Sequence, residues 1–363
     1  MKNKICVYAI AKNEEKNVER WYNSMKEADL IVVLDTGSTD NTVQLLRSFG
    51  VVVEQKIYDH FEFDVARNDS LALVPDEYNI RICTDLDEWL DSGWAEVLRN
   101  EWNEKQHSRG LYPYVHDHLD DGSEGSIFMQ DKIHGKTGKW IYPIHECFYD
   151  ENYTQERTII FDDRIKLHHG ADVTKNRDFY IDLLYQRIKN NSLDSNAYFL
   201  LGAEYYAREM NEKAIEIYNY ILSTPELQYD NIVLACIFCH MGECQERIGN
   251  YVEAIRYYSQ GILVDMEFRE NYYCLAKLYA SLGLNVAAIG VAEQGLKSSV
   301  RKYHWAEGVF CWAWGLYDIL RHAYYAEGDY QKALSYAAAA LQAEPNNPSL
   351  LEEYSLCLSA FCS

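Results

Sequence analysis

No stretch of the 363-residue chain approaches the ~20 consecutive apolar residues that a membrane-crossing helix requires. A membrane span is therefore not expected. A secretory leader is not expected either, because the short apolar run up to Ala11 leads straight into Lys12, Asn13, Glu14 and Glu15, with no small-residue cleavage pattern. Positive charge is scarce. With 34 Lys and Arg against 56 Asp and Glu, the formal net charge is -22. Such a field repels phosphate backbones and anionic lipid surfaces, so nucleic acid is excluded as an expected partner. The ten cysteines form no dense disulfide framework; several, such as Cys274 and Cys357, occupy apolar helical positions. Reduced thiols in a cytoplasm account for that scatter.

What remains is globular composition, 48% hydrophobic and 25% charged, in a chain long enough for two cores. Two regions differ in period. Up to about residue 170, short β-branched runs alternate with amphipathic stretches. Residues 5–10, 30–34, 51–53 and 80–83 read as strands, and residues 15–26 and 42–49 as helices. This βαβα order implies an α/β domain with a mostly parallel sheet, whose ligands bind beyond the carboxyl ends of the strands. After residue 172 the strand signals stop and helical patterns rich in Ala, Leu and Tyr take over. The expected division is residues 1–172 and 173–363.

The second region repeats. A small residue is followed twelve positions later by Ala at Gly202 and Ala214, at Gly242 and Ala254, and at Ala276 and Ala288, and Ala333 begins the pattern again. Small residues are needed where paired helices approach closely. The segment 321–345, with Gly328, Asp329, Tyr330 and Ala333, resembles a tetratricopeptide repeat, whose period is about 34 residues. About four repeats and a capping helix from Pro348 would bury a continuous core and could self-associate into a homo-oligomer.

Three polar segments fall at expected strand ends: residues 11–15, residues 35–42, and the triplet Asp85, Leu86, Asp87. Each alone has an ordinary structural use, as acidic first-turn residues, an N-cap or a polar loop. Together, in this order and spacing, they point to one site. Residues 1 to about 170 resemble glycosyltransferase family 2, with the GT-A (Rossmann-like) fold, and the triplet matches that family's DxD motif. A sugar diphosphate leaves carrying two negative charges, and a divalent cation held by carboxylates neutralises them. Hard oxygen ligands favour Mg²⁺ or Mn²⁺.

The resemblance implies that Asp87 binds the metal and that Asp85 contacts ribose or metal-bound water. By the same resemblance Asp35 holds the base, Ala11, Lys12 and Glu14 line the nucleoside pocket, and Arg67 touches base or diphosphate. Glu146, with His145 second, falls where the family places its general base, although His-Glu replaces the commoner Glu-Asp. His168 matches a terminal histidine that ligates metal in many such enzymes. The implied activity is inverting transfer of a sugar, from a UDP-hexose, to a peptide or protein docked by the repeats. That layout resembles the sublancin-type peptide S-glycosyltransferases. A surface-polysaccharide or lipid-linked glycan acceptor and a non-catalytic repeat scaffold stay open as alternatives. The cluster Cys236, Cys239, His240 and Cys244 is assigned to helix packing rather than zinc, since one helix rarely closes a tetrahedral shell.

Overall fold

A computed structural model describes residues 3–118, 122, 124–170, 179–301 and 308–362. The chain forms two compact units, Met1–Leu183 and Leu184–Ser363. The division expected at residue 172 falls within residues 171–178, outside the described residues.

β1 (Ile5–Ala11) sets the frame of the first unit. Its Ile5, Val7, Ala9 and Ala11 enter one core with Trp21 and Trp94, while Cys6 and Tyr8 enter a second with Trp140 and Phe148. This period of two is that of a strand covered on both faces. There follow α1 (Val18–Met25), β2 (Leu30–Asp35), α2 (Thr42–Ser48), β3 (Val52–Gln55), α3 (Phe63–Leu71), β4 (Ile80–Thr84), β5 (Glu88–Leu90) and α4 (Trp94–Glu101). β6 (Arg109–Val115), β7 (Ile127–His134), β8 (Lys139–Ile141), β9 (Cys147–Tyr149), β10 (Thr158–Ile160) and β11 (Leu167–His169) complete the strands.

The main sheet runs β3-β2-β1-β4-β7-β6-β11-β5, with β10 added to β6. β3, β2, β1 and β4 are mutually parallel, whereas β7 lies antiparallel to both β4 and β6. Strand order therefore reverses about β1, and the carboxyl ends of β1, β2 and β4 share one edge. The expected parallel strands are present. The antiparallel extension and α3 lack a local signal in the sequence and emerge only in the structure. The helix expected from residue 15 begins instead at Val18. Residues 14–17 form a turn closed by Asn17 N–H to Glu14 O at 2.8 Å, because Glu14 and Glu15 are drawn into contacts with the next loop.

The second unit is all-helical. The connecting helix α5 (Phe179–Asn190) leads to α6 (Ser195–Ala207) with α7 (Asn211–Ser223), α8 (Asn231–Arg247) with α9 (Tyr251–Val264), and α10 (Arg269–Ser281) with α11 (Asn285–Gly295). After short α12 (Val309–Trp312) come α13 (Gly315–Ala326) with α14 (Tyr330–Ala343), then α15 (Pro348–Cys362) packed on α14. Asp194, Asp230 and Asp329 cap α6, α8 and α14 by accepting a backbone N–H three residues on.

The twelve-residue spacing has a steric cause. A Cβ on Gly202 would lie 2.4 Å from the ring of Tyr218, and one on Gly242 would lie 2.4 Å from the ring of Tyr258. Each tyrosine stands four residues past the paired alanine and fills the hollow its glycine leaves. His240 belongs to this packing: it stacks on Tyr206 with ring centroids 4.0 Å apart, and its Nδ1 lies 2.7 Å from Tyr218 Oη. Among the described residues no helix is long and apolar enough to cross a membrane.

Candidate functional site

The loops after β1 and β2 are laced together. Ala11 O accepts from Thr36 N–H (2.8 Å) and from its hydroxyl (3.1 Å). Asn13, held at φ 57°, donates its N–H to Ser38 Oγ at 2.8 Å and accepts Thr39 N–H at 2.8 Å. Glu14 N–H donates to Thr42 Oγ1 (2.8 Å), and the Glu15 carboxylate accepts both Asn41 N–H (3.0 Å) and Asn41 Nδ2 (2.9 Å). Asp35 is fully buried, and its carboxylate accepts from Gly37 N–H (3.2 Å), Ser38 N–H (3.1 Å) and Gln55 Nε2 (3.3 Å). It shapes the turn in which Gly37 adopts φ 112°, a conformation that favours glycine. Ala11, Glu14 and Asp35 thus form one edge, with exposed Lys12 at its rim.

Arg67 is the hub of the next layer. It is 3% exposed. Its Nη2 donates to both carboxylate oxygens of Asp85 (2.9 and 3.0 Å), Nη1 to Cys83 Sγ (3.2 Å), and Nε to Glu146. The guanidinium also lies over the Trp140 ring, 5.2 Å from its centroid. Three residues picked from separate segments of the sequence, Arg67, Asp85 and Glu146, therefore meet.

Two partners carry no motif: Lys132 on β7 and Glu88 on β5. Lys132 Nζ lies 3.3 Å from Asp85 and 2.9 Å from Glu88, and Glu88 accepts Asp85 N–H at 2.9 Å. Burial works to raise the Asp85 pKa, but Arg67 and Lys132 hold it well below the usual carboxylate range. Burial likewise opposes the charge of Lys132, and Glu88 and Asp85 outweigh it, so Lys132 stays a cation.

Asp87 is 7% exposed and faces His169, whose Nε2 lies 3.8 Å from Asp87 Oδ2. His168 turns the other way: its Nε2 lies 3.2 Å from Asp91 and its Nδ1 3.3 Å from His118 Nε2, and the ring stacks on Trp89. Adjacent residues of a strand point to opposite faces, so only one histidine of this pair can meet Asp87. His169, rather than the His168 of the motif, is the one that lies beside Asp87.

The segment carrying Glu146 is strained. Tyr142 (φ 80°) and His145 (φ 48°) both occupy the left-handed region, at about 1–3 kcal/mol each. It is held on both sides. Phe63 N–H donates to Pro143 O at 3.0 Å, and Asn68 exchanges two hydrogen bonds with the Trp140 backbone, at 2.8 and 2.9 Å. Beneath, Trp140 Nε1–H donates to Tyr8 Oη (2.8 Å), which lies 2.7 Å from His134 Nε2. His134 Nδ1 sits 2.7 Å from Gly135 O and must carry its proton there, so Nε2 is the acceptor. Burial pushes the His134 pKa down to about 3.

Among the described residues no three His, Cys, Asp or Glu side chains converge as a metal cage. Asp85 is engaged by two cations. Asp87, whose backbone O accepts from Arg20 Nη2 at 3.2 Å, and His169 could hold an ion together: His169 Nδ1 faces His116 O at 3.0 Å, which directs Nε2 toward Asp87.

No curated protein sequence matches the chain. Several solved structures resemble its helical part. MamA is 20% identical, with 46% of this chain and 86% of that chain covered and a TM-score of 0.37. A thermophilic TPR protein of Thermus thermophilus is 20% identical, covering 50% and 90% of the two chains, at 0.34. The C-terminal part of a TPR repeat-containing protein from Cytophaga hutchinsonii is 16% identical, covering 50% and 64%, at 0.41. The model of the glycosyl transferase family 2 matches residues 6–115 of the N-terminal unit, a stretch that includes Asp35 and the Asp85–Asp87 triplet at the strand ends just described and Arg67 on α3.

Proposed function

We propose that this chain is an inverting glycosyltransferase that moves a hexose from a UDP-sugar to a peptide or protein acceptor, with Mg²⁺ or Mn²⁺. The observation that carries the reading is the Arg67 hub. One buried guanidinium joins the Asp85 carboxylate to the Glu146 carboxylate at the carboxyl edge of the parallel strands. Ala11, Lys12, Glu14 and Asp35 lie along the same edge, in reach of a nucleoside.

In this reading Glu146 takes the acceptor's proton while the acceptor atom bonds to the anomeric carbon. The opposite bond, from that carbon to the diphosphate oxygen, breaks with its electron pair. Asp87 and His169 would hold the divalent ion, whose chemistry would be to neutralise the departing charge. Arg67 orients Glu146 and Asp85, and Lys132 keeps Asp85 in place. The acceptor assignment rests on the second unit, since stacked helix pairs offer an extended face for a peptide. A thiol acceptor needs the least help, a few per cent of it being thiolate near neutral pH.

The test is incubation of the full chain with UDP-sugars, Mn²⁺ and a peptide panel containing Cys, Ser and Thr. A mass increase of one hexose on a peptide is expected, lost in Asp87→Asn. If sugar appears only on oligosaccharides, the acceptor is a glycan. If UDP fails to bind with or without Mn²⁺, the enzyme reading is wrong.

A further inference from the structure

Beside the Arg67–Glu146 pair runs a row of aromatic rings that the transfer chemistry does not use. Phe61 meets Tyr58 and Phe63 edge-on, with ring centroids 5.9 and 4.9 Å apart. Phe63 meets Phe179 at 6.4 Å and Tyr180 at 6.1 Å, and Tyr180 meets His145 at 5.9 Å. These rings are not core. Phe179 is 41% exposed, and Phe61, Phe63 and Tyr180 are half-buried. Phe63 and Arg67 lie four residues apart on α3, so they share one face of that helix. The backbone bond from Phe63 to Pro143 ties the row to the strained segment that carries Glu146.

The edge of the row is acidic. Asp59 is exposed, Glu62 and Asp64 are half-buried, and no Lys or Arg occurs in residues 57–66. Burial raises the Asp64 pKa, and the charges of Glu62 and Glu146 raise it further, so these carboxylates feel one another.

Resting on the glycosyltransferase reading, we propose that this row holds the acceptor segment nearest Glu146, in addition to any contact that the helix pairs make, and that its occupant is a peptide segment in which an aromatic or aliphatic side chain is flanked by Lys or Arg. The ring faces accept an apolar side chain and attract a cation. The carboxylates at the edge add to that attraction and reject acidic segments. A neutral glycan would stack on the rings but would make no use of the charge of Asp59, Glu62 and Asp64.

The experiment titrates the full chain calorimetrically with three short peptides of one frame, centred on Lys-Phe-Lys, Lys-Ala-Lys and Glu-Phe-Glu. Maltopentaose and UDP with Mn²⁺ are titrated in parallel. The Lys-Phe-Lys peptide should bind about ten-fold more tightly than either of the others. Phe61→Ser combined with Phe179→Ser should weaken it about ten-fold while leaving UDP binding unchanged. Glu62→Gln should narrow the gap between the basic and acidic peptides. Equal binding of the three peptides overturns the proposal, as does binding that the double substitution leaves untouched. Maltopentaose binding that the double substitution abolishes, in place of peptide binding, also overturns it and assigns the row to a glycan. Failure of UDP to bind alongside the expected peptide preference removes the enzyme reading and leaves the docking row standing.

Discussion

Arg67 gives each of its three nitrogens a separate acceptor, in Asp85, Cys83 and Glu146. Arg67→Met would leave two carboxylates facing each other without their shared cation. A loss of about 3–5 kcal/mol in urea denaturation is expected, along with loss of UDP affinity. Arg67→Lys keeps the charge, but one ammonium cannot span three acceptors, so transfer should fall while the fold is better retained. The neighbouring histidines face opposite sides of β11. His169→Asn should weaken Mn²⁺-dependent UDP binding in a calorimetric titration, whereas His168→Asn, on the face toward Asp91, should leave it near wild type. His134 bears on pH. Its folded pKa, about 3, lies below its unfolded one, so the unfolded chain gains the proton first as pH falls. Between pH 7 and 5 the protein should lose about 2 kcal/mol from this group, and His134→Gln should flatten that dependence in chemical denaturation. The acidic motif and Arg67 were legible in the sequence because their spacing carried a resemblance. Lys132 and Glu88 were not, because β7 and β5 come to Asp85 through pairings that leave no local mark.

Among the elements, the helix pairs were the most legible, because close approach of two helices imposes a small residue at a fixed offset. Gly242→Ala tests this directly. Its Cβ would meet the Tyr258 ring, so α8 and α9 must move apart at a cost of about 1–3 kcal/mol, read from the denaturation midpoint. Combining it with Tyr258→Leu should cost less than the sum of the two, since the shortened side chain vacates the contested space. At the other extreme, the start of α1 was misread by three residues. Helical propensity at Glu15 yields to its two bonds with Asn41, a contact across 26 residues that no window of sequence reveals. The antiparallel strands β6 and β7 were missed for the same reason.

For the whole molecule, the division into an α/β unit and a helical unit followed from a change of period that persists over many residues, which makes it robust to local error. The net charge of -22 acts at this scale too. Association with a basic acceptor peptide should slow as salt rises from low to physiological concentration, while its dissociation rate changes little; stopped-flow fluorescence would separate the two. β1 has a further consequence. Since every second side chain of this strand belongs to a different core, deleting one residue from it would swap the two sets at once. Tyr8 would be thrust into space shaped for Val7 and Ala9, its hydroxyl carried away from His134, and small aliphatic groups left where an indole and an imidazole expect a partner. The strand tolerates exchange of residues but not a change in their number, and the site and the scaffold stand or fall on the same parity.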